Sequence, residues 1–216
     1  MAAHRLLNVL FGGNILGGLL GFSRGIDFIS DRLGRILIWL VLAAVLISAG
    51  NAIMRKAFSI GSNAFLEIQW YLFSAVFLLG AGYAFLKNAH VRIDFISNHL
   101  SAKLRNWIDI LGIVVFLLPL CAILIKLSWP LFANAWTSGE MSQNAGGLIR
   151  WPAYSLIPAG MALLLLQGLS ELIKRVAFLT GAGPDVIAHG HGTQPDESEI
   201  EREIEAHAAQ VKAEVR

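Results

Sequence analysis

The residues able to do chemistry in this chain are few, and their placement argues against most chemistries. The six histidines (His4, His90, His99, His189, His191, His207) and the single cysteine, Cys121, form no Cys-x-x-Cys pair and no metal-ligand spacing. Paired histidines inside spanning helices, as a buried haem requires, are missing, because every histidine lies outside the long apolar runs. His189 and His191 stand close together in a Gly-rich tail, a poor scaffold for a metal site. A Gly-rich loop followed by Lys-Ser or Lys-Thr, the phosphate cradle of an ATPase, is absent. No catalytic, cofactor or metal residue is therefore assigned. The carboxylates and basic groups that remain cluster at the ends of apolar stretches. Asn51 and Arg55 stand four apart, as do Asn63 and Glu67. His90, Arg92 and Asp94 alternate after the second stretch, and Glu140 and Arg150 precede Trp151 and Pro152. Such groups suit capping, ion pairing and contact with a partner better than bond-making. Asn63 is expected to cap the helix that follows it, with Glu67 in the first turn, and Arg55 to pair with Glu67 across a short loop.

The elements that must position these residues are set by hydropathy. Of 216 residues 56% are apolar and only 15% charged, against about 25% charged in an average soluble domain. Residues 36–53, 68–86, 110–125 and 151–170 contain no Asp, Glu, Lys or Arg. A soluble helix interrupts such runs with charge. At about 1.5 Å per residue, runs of this length approach the hydrocarbon thickness of a bilayer, about 30 Å. The third reaches it when 107–129 is counted, with Asp109 and Lys126 near its ends. The expected fold class is an all-α integral membrane protein with four transmembrane helices at about 36–54, 67–87, 107–129 and 151–173. A net charge of +2 with no basic stripe excludes a nucleic-acid partner.

Ten basic residues (Arg5, Arg24, Arg32, Arg35, Lys87, Arg92, Lys103, Arg105, Lys174 and Arg175) fall on one side of this arrangement. Arg55, Lys56 and Arg150 fall on the other. The positive-inside rule places the ten in the cytoplasm, with both termini. Tryptophans mark the boundaries: Trp39 and Trp107 at inner ends, Trp70, Trp129 and Trp151 at outer ends, Trp136 in the outer loop. The organisation expected is an N-terminal cytoplasmic or interfacial arm (1–35), a four-helix membrane domain (36–178) and an acidic cytoplasmic tail (179–216). Glycines at 12, 13, 17, 18 and 21 lower helix propensity in the arm, so 6–22 is expected to be interfacial or disordered. Ile26, Ile29 and Leu33 then read as a short amphipathic helix. Ile93, Ile96, Leu100, Leu104 and Ile108 read as a second one, lying on the membrane lipid of the inner surface. Mid-span polarity is thin: Ser48, Ser74 and Gln167, with Pro119 and Pro158 as kinks. An ion pathway needs more polar groups at that depth, so the chain reads as a subunit. Small residues (Ala44, Ser48 and Ala52; Gly80 and Ala84) offer close helix contact, within the bundle or with a partner.

Taken in order, Asn51…Arg55, Ser62-Asn63-Ala64 with Glu67-Ile68-Gln69-Trp70, Gly80-Ala81-Gly82-Tyr83, His90-Val91-Arg92-Ile93-Asp94 and Glu140-Met141-Ser142 with Gly146-Gly147-Leu148-Ile149-Arg150-Trp151-Pro152 carry a resemblance. Over about 36–178 the chain resembles the small permease subunit of tripartite ATP-independent periplasmic (TRAP) transporters, and its Gly-Gly-Leu…Arg-Trp-Pro segment is similar to the mannitol/chloroaromatic subgroup. The resemblance implies a multi-pass protein of the bacterial inner membrane, without enzymatic activity. It implies two protein partners, a large permease subunit holding the substrate and sodium sites and a periplasmic solute-binding protein. The small subunit would brace the former and help dock the latter during uptake of organic acids or related solutes. On that mapping Asn51, Arg55, Glu67, Glu140, Arg150, Trp151 and Pro152 lie on the docking side, and His90, Arg92 and Asp94 fix the inner surface segment. The competing reading is a membrane anchor subunit of a respiratory or other enzyme complex.

Overall fold

The computed structural model describes residues 13–59, 61–89 and 100–184. It consists of helices α1 (Gly13–Phe58), α2 (Asn63–Leu86), α3 (Ala102–Gly112), α4 (Leu118–Ser138) and α5 (Trp151–Leu179). One π-helical turn, Ile113–Leu117, joins α3 to α4 without a break. Four helical stretches, counting α3–α4 as one, are long and apolar enough to cross a membrane, as the hydropathy predicts. The arm before residue 13, the segment carrying His90, Arg92 and Asp94, and the acidic tail with His189 and His191 lie outside the described residues.

Helix α5 is the centre of the bundle. It packs against α1, α2 and α4, while α1 and α2 also pack on each other. Small residues on α5 make this possible. A Cβ added at Gly160 would stand 2.6 Å from the Leu78 carbonyl oxygen of α2, so the two backbones touch there. Gly34 of α1 sits under the Tyr83 ring in the same way, its imaginary Cβ 2.3 Å from Cδ2. Without a hydrophobic drive between spanning helices, such close van der Waals contact is what holds them together. Gly160→Ala is therefore expected to destabilise the bundle by about 1–3 kcal/mol, the usual cost of overpacking. Thermal unfolding of the detergent-purified chain measures it. Of the small residues expected to mark contacts, Gly80 does meet Leu37 (3.3 Å). Ala44 and Ser48 instead line an open groove of about 590 Å³, with Val41, Val45, Trp70 and Phe73, where the outer halves of α1 and α2 diverge.

Three boundaries differ from expectation. Helix α1 runs unbroken from Gly13 for 46 residues, about 69 Å at 1.5 Å per residue, so residues 13–35 are helical and continuous with the first span. Glycines 17, 18, 21 and 25 meet nothing within 4 Å. What holds the helix is a buried stripe of Ser23, Ile26, Ser30, Gly34 and Leu37 at three- and four-residue steps, so tertiary packing overrides weak propensity. Of the expected amphipathic set, Ile26 is buried and Ile29 is 56% exposed. Second, the described part of the inner surface helix, from Ala102, is the beginning of the third span. Ser101 caps it, accepting from the Leu104 N–H at 3.4 Å. Third, that span continues past Trp129 to Ser138, so Trp136 belongs to the helix and not to the outer loop. Pro119 has no N–H to return to the chain one turn earlier; just before it the helix widens, and the Leu118 N–H bonds the Ile113 carbonyl five residues back.

Candidate docking and bracing site

At the outer end, α4 stops at Gly139, whose left-handed backbone (φ 62°) suits glycine. Residues 140–150 then fold back on themselves. The Ser142 N–H donates to the Leu148 carbonyl (2.8 Å), the Arg150 N–H to the Glu140 carbonyl (2.9 Å), and the Gly147 N–H to the Asn144 carbonyl (2.9 Å). Met141 and Ile149 pair as a single antiparallel bridge. An ion pair between Arg150 Nη1 and Glu140 Oε1 (2.7 Å) closes the base of the loop.

One face of α2 holds this loop. Asn63, Glu67 and Tyr71, each four residues apart, all reach it. Asn63 Nδ2 donates to the Ala145 carbonyl (2.9 Å), and the Tyr71 hydroxyl donates to the Ile149 carbonyl (3.1 Å). Glu67 accepts from the Ser142 hydroxyl, from Asn144 Nδ2 (2.8 Å) and from the Leu148 N–H (2.6 Å). A carboxylate accepting three donors is a strong latch, since hydrogen bonds to an ionised group are about twice as strong as neutral ones. Beside it the Trp151 ring meets Trp136 edge-on, centroids 4.5 Å apart. Pro152 opens α5 and its carbonyl accepts from the Ser155 hydroxyl (2.7 Å).

Some of the partners expected from the sequence differ from those in the structure. Glu67, Glu140, Arg150, Trp151 and Pro152 come together at the outer end. The expected Arg55–Glu67 pair does not form; Glu67 spends its oxygens on the loop instead. Arg55 passes beside Gly61, and Asn51 lines a smaller groove with Met54 and Phe65. Asn63 does not cap α2. Ser62 occupies the cap position without a side-chain bond, and Asn63, already helical, faces the loop.

A second polar assembly, at the inner end, went unread in the sequence. Asp27 of α1 accepts from Gln167 Nε2 (2.9 Å), the Ser170 hydroxyl (2.8 Å) and Lys174 Nζ (3.0 Å) of α5. Ser30 donates to Gln167 Oε1 (2.7 Å), and Ser23 meets Ser170 hydroxyl to hydroxyl (2.7 Å). Glu171, fully buried, is bonded by both Lys174 and Arg175. Arg175 in turn reaches Asp109 of α3 through Nε (3.2 Å) and Nη2 (3.1 Å). One turn further along α1, Asp31 pairs with Arg35 and with Lys87 (2.9 Å) at the end of α2. The signal was present: Ser23, Asp27 and Ser30 recur at helical spacing, as do Gln167, Ser170, Glu171 and Lys174, two polar stripes that face each other. Hydrogen bonding to Asp31 raises the Lys87 pKa, and bonding to Glu140 raises that of Arg150, so both keep their charge throughout the physiological range.

Among the described residues no group of three or more His, Cys, Asp or Glu side chains is placed to hold a metal ion. The two polar assemblies clamp helices and a loop to one another. Searches of curated proteins and of solved structures returned no match. Residues 44–178, by contrast, match the family of the DctQ component of tripartite ATP-independent periplasmic transporters. That stretch holds the outer latch and most of the bundle, and it covers more than half of the chain. The protein is a multi-pass component of the inner membrane and belongs to the DctQ family of TRAP transporter small permease subunits.

Proposed function

We propose that this chain is the non-catalytic brace of a TRAP-type secondary transporter, which steadies the large permease in the membrane and offers its outer loop to the periplasmic solute-binding protein. The observation that carries the docking role is the preformed loop 140–150, pinned to α2 by Glu67 before any partner arrives. A surface already ordered loses little conformational freedom on binding. The bracing role is supported by the outward apolar faces, where Trp70, Phe77 and Phe116 are each at least 70% exposed. The substrate and sodium sites belong, in this reading, to the large permease, and this chain needs no cofactor. The Gly147-Leu148…Trp151-Pro152 segment supports the mannitol/chloroaromatic-like subgroup and organic acids or related small solutes as cargo.

Uptake by proteoliposomes tests this. Vesicles holding this chain, its large permease and added binding protein are expected to accumulate solute when a sodium gradient is imposed. Vesicles holding this chain alone are expected to show none. Sodium-driven uptake by the chain alone would overturn the proposal.

A further inference from the structure

Lys126 stands where a lysine has no business facing lipid. On α4, Cys121, Ser128 and Ala135 form the buried stripe against α5, and Lys126 lies on the opposite side, exposed. Its depth follows from two contacts. Leu117 lies against Gly168, and Trp136 against Trp151. These two α5 residues nearly bound its charge-free stretch, 151–170. Lys126 falls midway between Leu117 and Trp136, about 14–15 Å from each at 1.5 Å per residue. A lysine stem reaches only about 6 Å toward an interface. Helical side chains also lean toward their own N-terminus, which for α4 is the inner end, so the route to outer water is disfavoured. A second polar group sits at the same place. Pro130 has no N–H to give to the Lys126 carbonyl four residues earlier. Ammonium and carbonyl together form a polar spot in an apolar face of Ile123, Leu127 and Trp129, each more than half exposed.

The geometry points to an intramembrane docking site: Lys126 and its turn receive a carboxylate-bearing spanning helix of the large permease. This rests on the brace reading above. An ionisable group in the bilayer is costly and is ordinarily paired. A second copy of this chain does not serve. Its described carboxylates (Asp27, Asp31, Glu67, Asp109, Glu140 and Glu171) all lie at the inner or outer ends of the spans. Lipid phosphates are too far.

The test is co-purification of the large permease with the tagged chain from native membranes in mild detergent, comparing wild type with Lys126→Leu, Lys126→Arg and Lys126→Glu. Lys126→Leu decides, because it removes the charge while making a better spanning helix. The amount of permease per tagged chain is expected to fall severalfold with Leu and at least about tenfold with Glu, where like charges meet, and to be retained with Arg. The Leu chain itself is expected to reach the membrane in wild-type amount or more. Undiminished permease with the Leu and Glu variants overturns the site. So does loss of self-association by this chain at an unchanged permease ratio. Absence of any large polytopic partner from the wild-type sample would overturn the brace reading itself, so the two failures are distinguishable.

Discussion

Arg175→Ala is expected to be the most damaging single substitution in the described bundle. Arg175 and Glu171 each have only 1% of their side chains exposed and are bonded to one another, and Arg175 also joins α5 to Asp109 of α3. Removing Arg175 leaves the buried Glu171 with Lys174 as its one remaining cation among the described residues and breaks the bond from α5 to Asp109. Breaking a buried pair costs about 3–5 kcal/mol, and the retained Lys174 sets this loss toward the lower figure. The stability of a single domain is only about 5–15 kcal/mol, so much of the variant is expected to unfold or be degraded. Fluorescence-detected size exclusion after a heat challenge measures the surviving fraction. Replacing both members, Glu171→Leu with Arg175→Leu, is expected to recover a large part of the loss, since an apolar pair of similar bulk is often no worse than a buried ion pair. Equal damage from the single and double changes would show that the pair itself is not what matters.

Glu67→Ala is expected to release the outer loop while leaving the bundle intact. Three donors lose their acceptor at once: the Ser142 hydroxyl, Asn144 Nδ2 and the Leu148 N–H. Hydrogen exchange reads this at one atom, because the Leu148 amide is protected by Glu67 itself. Its exchange is expected to accelerate by about tenfold or more as local opening becomes easier. Binding of the solute-binding protein to the assembled transporter is expected to weaken by a similar factor, roughly tenfold, as the ordering cost moves into the binding step. Glu67→Gln, which keeps an acceptor oxygen, is expected to fall between. Faster exchange at Leu148 with unchanged docking would remove the loop from the docking surface while leaving the latch in place.

Much of this was legible in the sequence, and the rest failed for identifiable reasons. Charge-free runs located the four spans because the bilayer imposes a length. The outer latch was half visible: Glu67 stood out, but its partner was sought nearby in sequence at Arg55, whereas the loop that binds it lies some eighty residues away. Capping was expected of Asn63 from local spacing, yet Ala145 offered it a tertiary partner instead. The inner assembly is hidden in the sequence because Lys174 and Arg175 read as charges that follow a span, whereas α5 continues to Leu179, burying Arg175 and half-burying Lys174. Lys126 reads as near an interface if Trp129 marks the outer boundary; the helix runs about two turns further, to the Trp136–Trp151 contact, on which the intramembrane site proposed for Lys126 rests. The glycine-rich start of α1 is helical although Gly17, Gly18 and Gly21 meet nothing within 4 Å; the buried stripe begins only at Ser23.

The most direct measurement is native mass spectrometry of the complex released in mild detergent from membranes that express the tagged chain with its partners. The predicted result is a stoichiometric assembly of this chain with one much larger polytopic protein. The chain released alone, as a defined homo-oligomer that still drives sodium-coupled uptake, would contradict a bracing role.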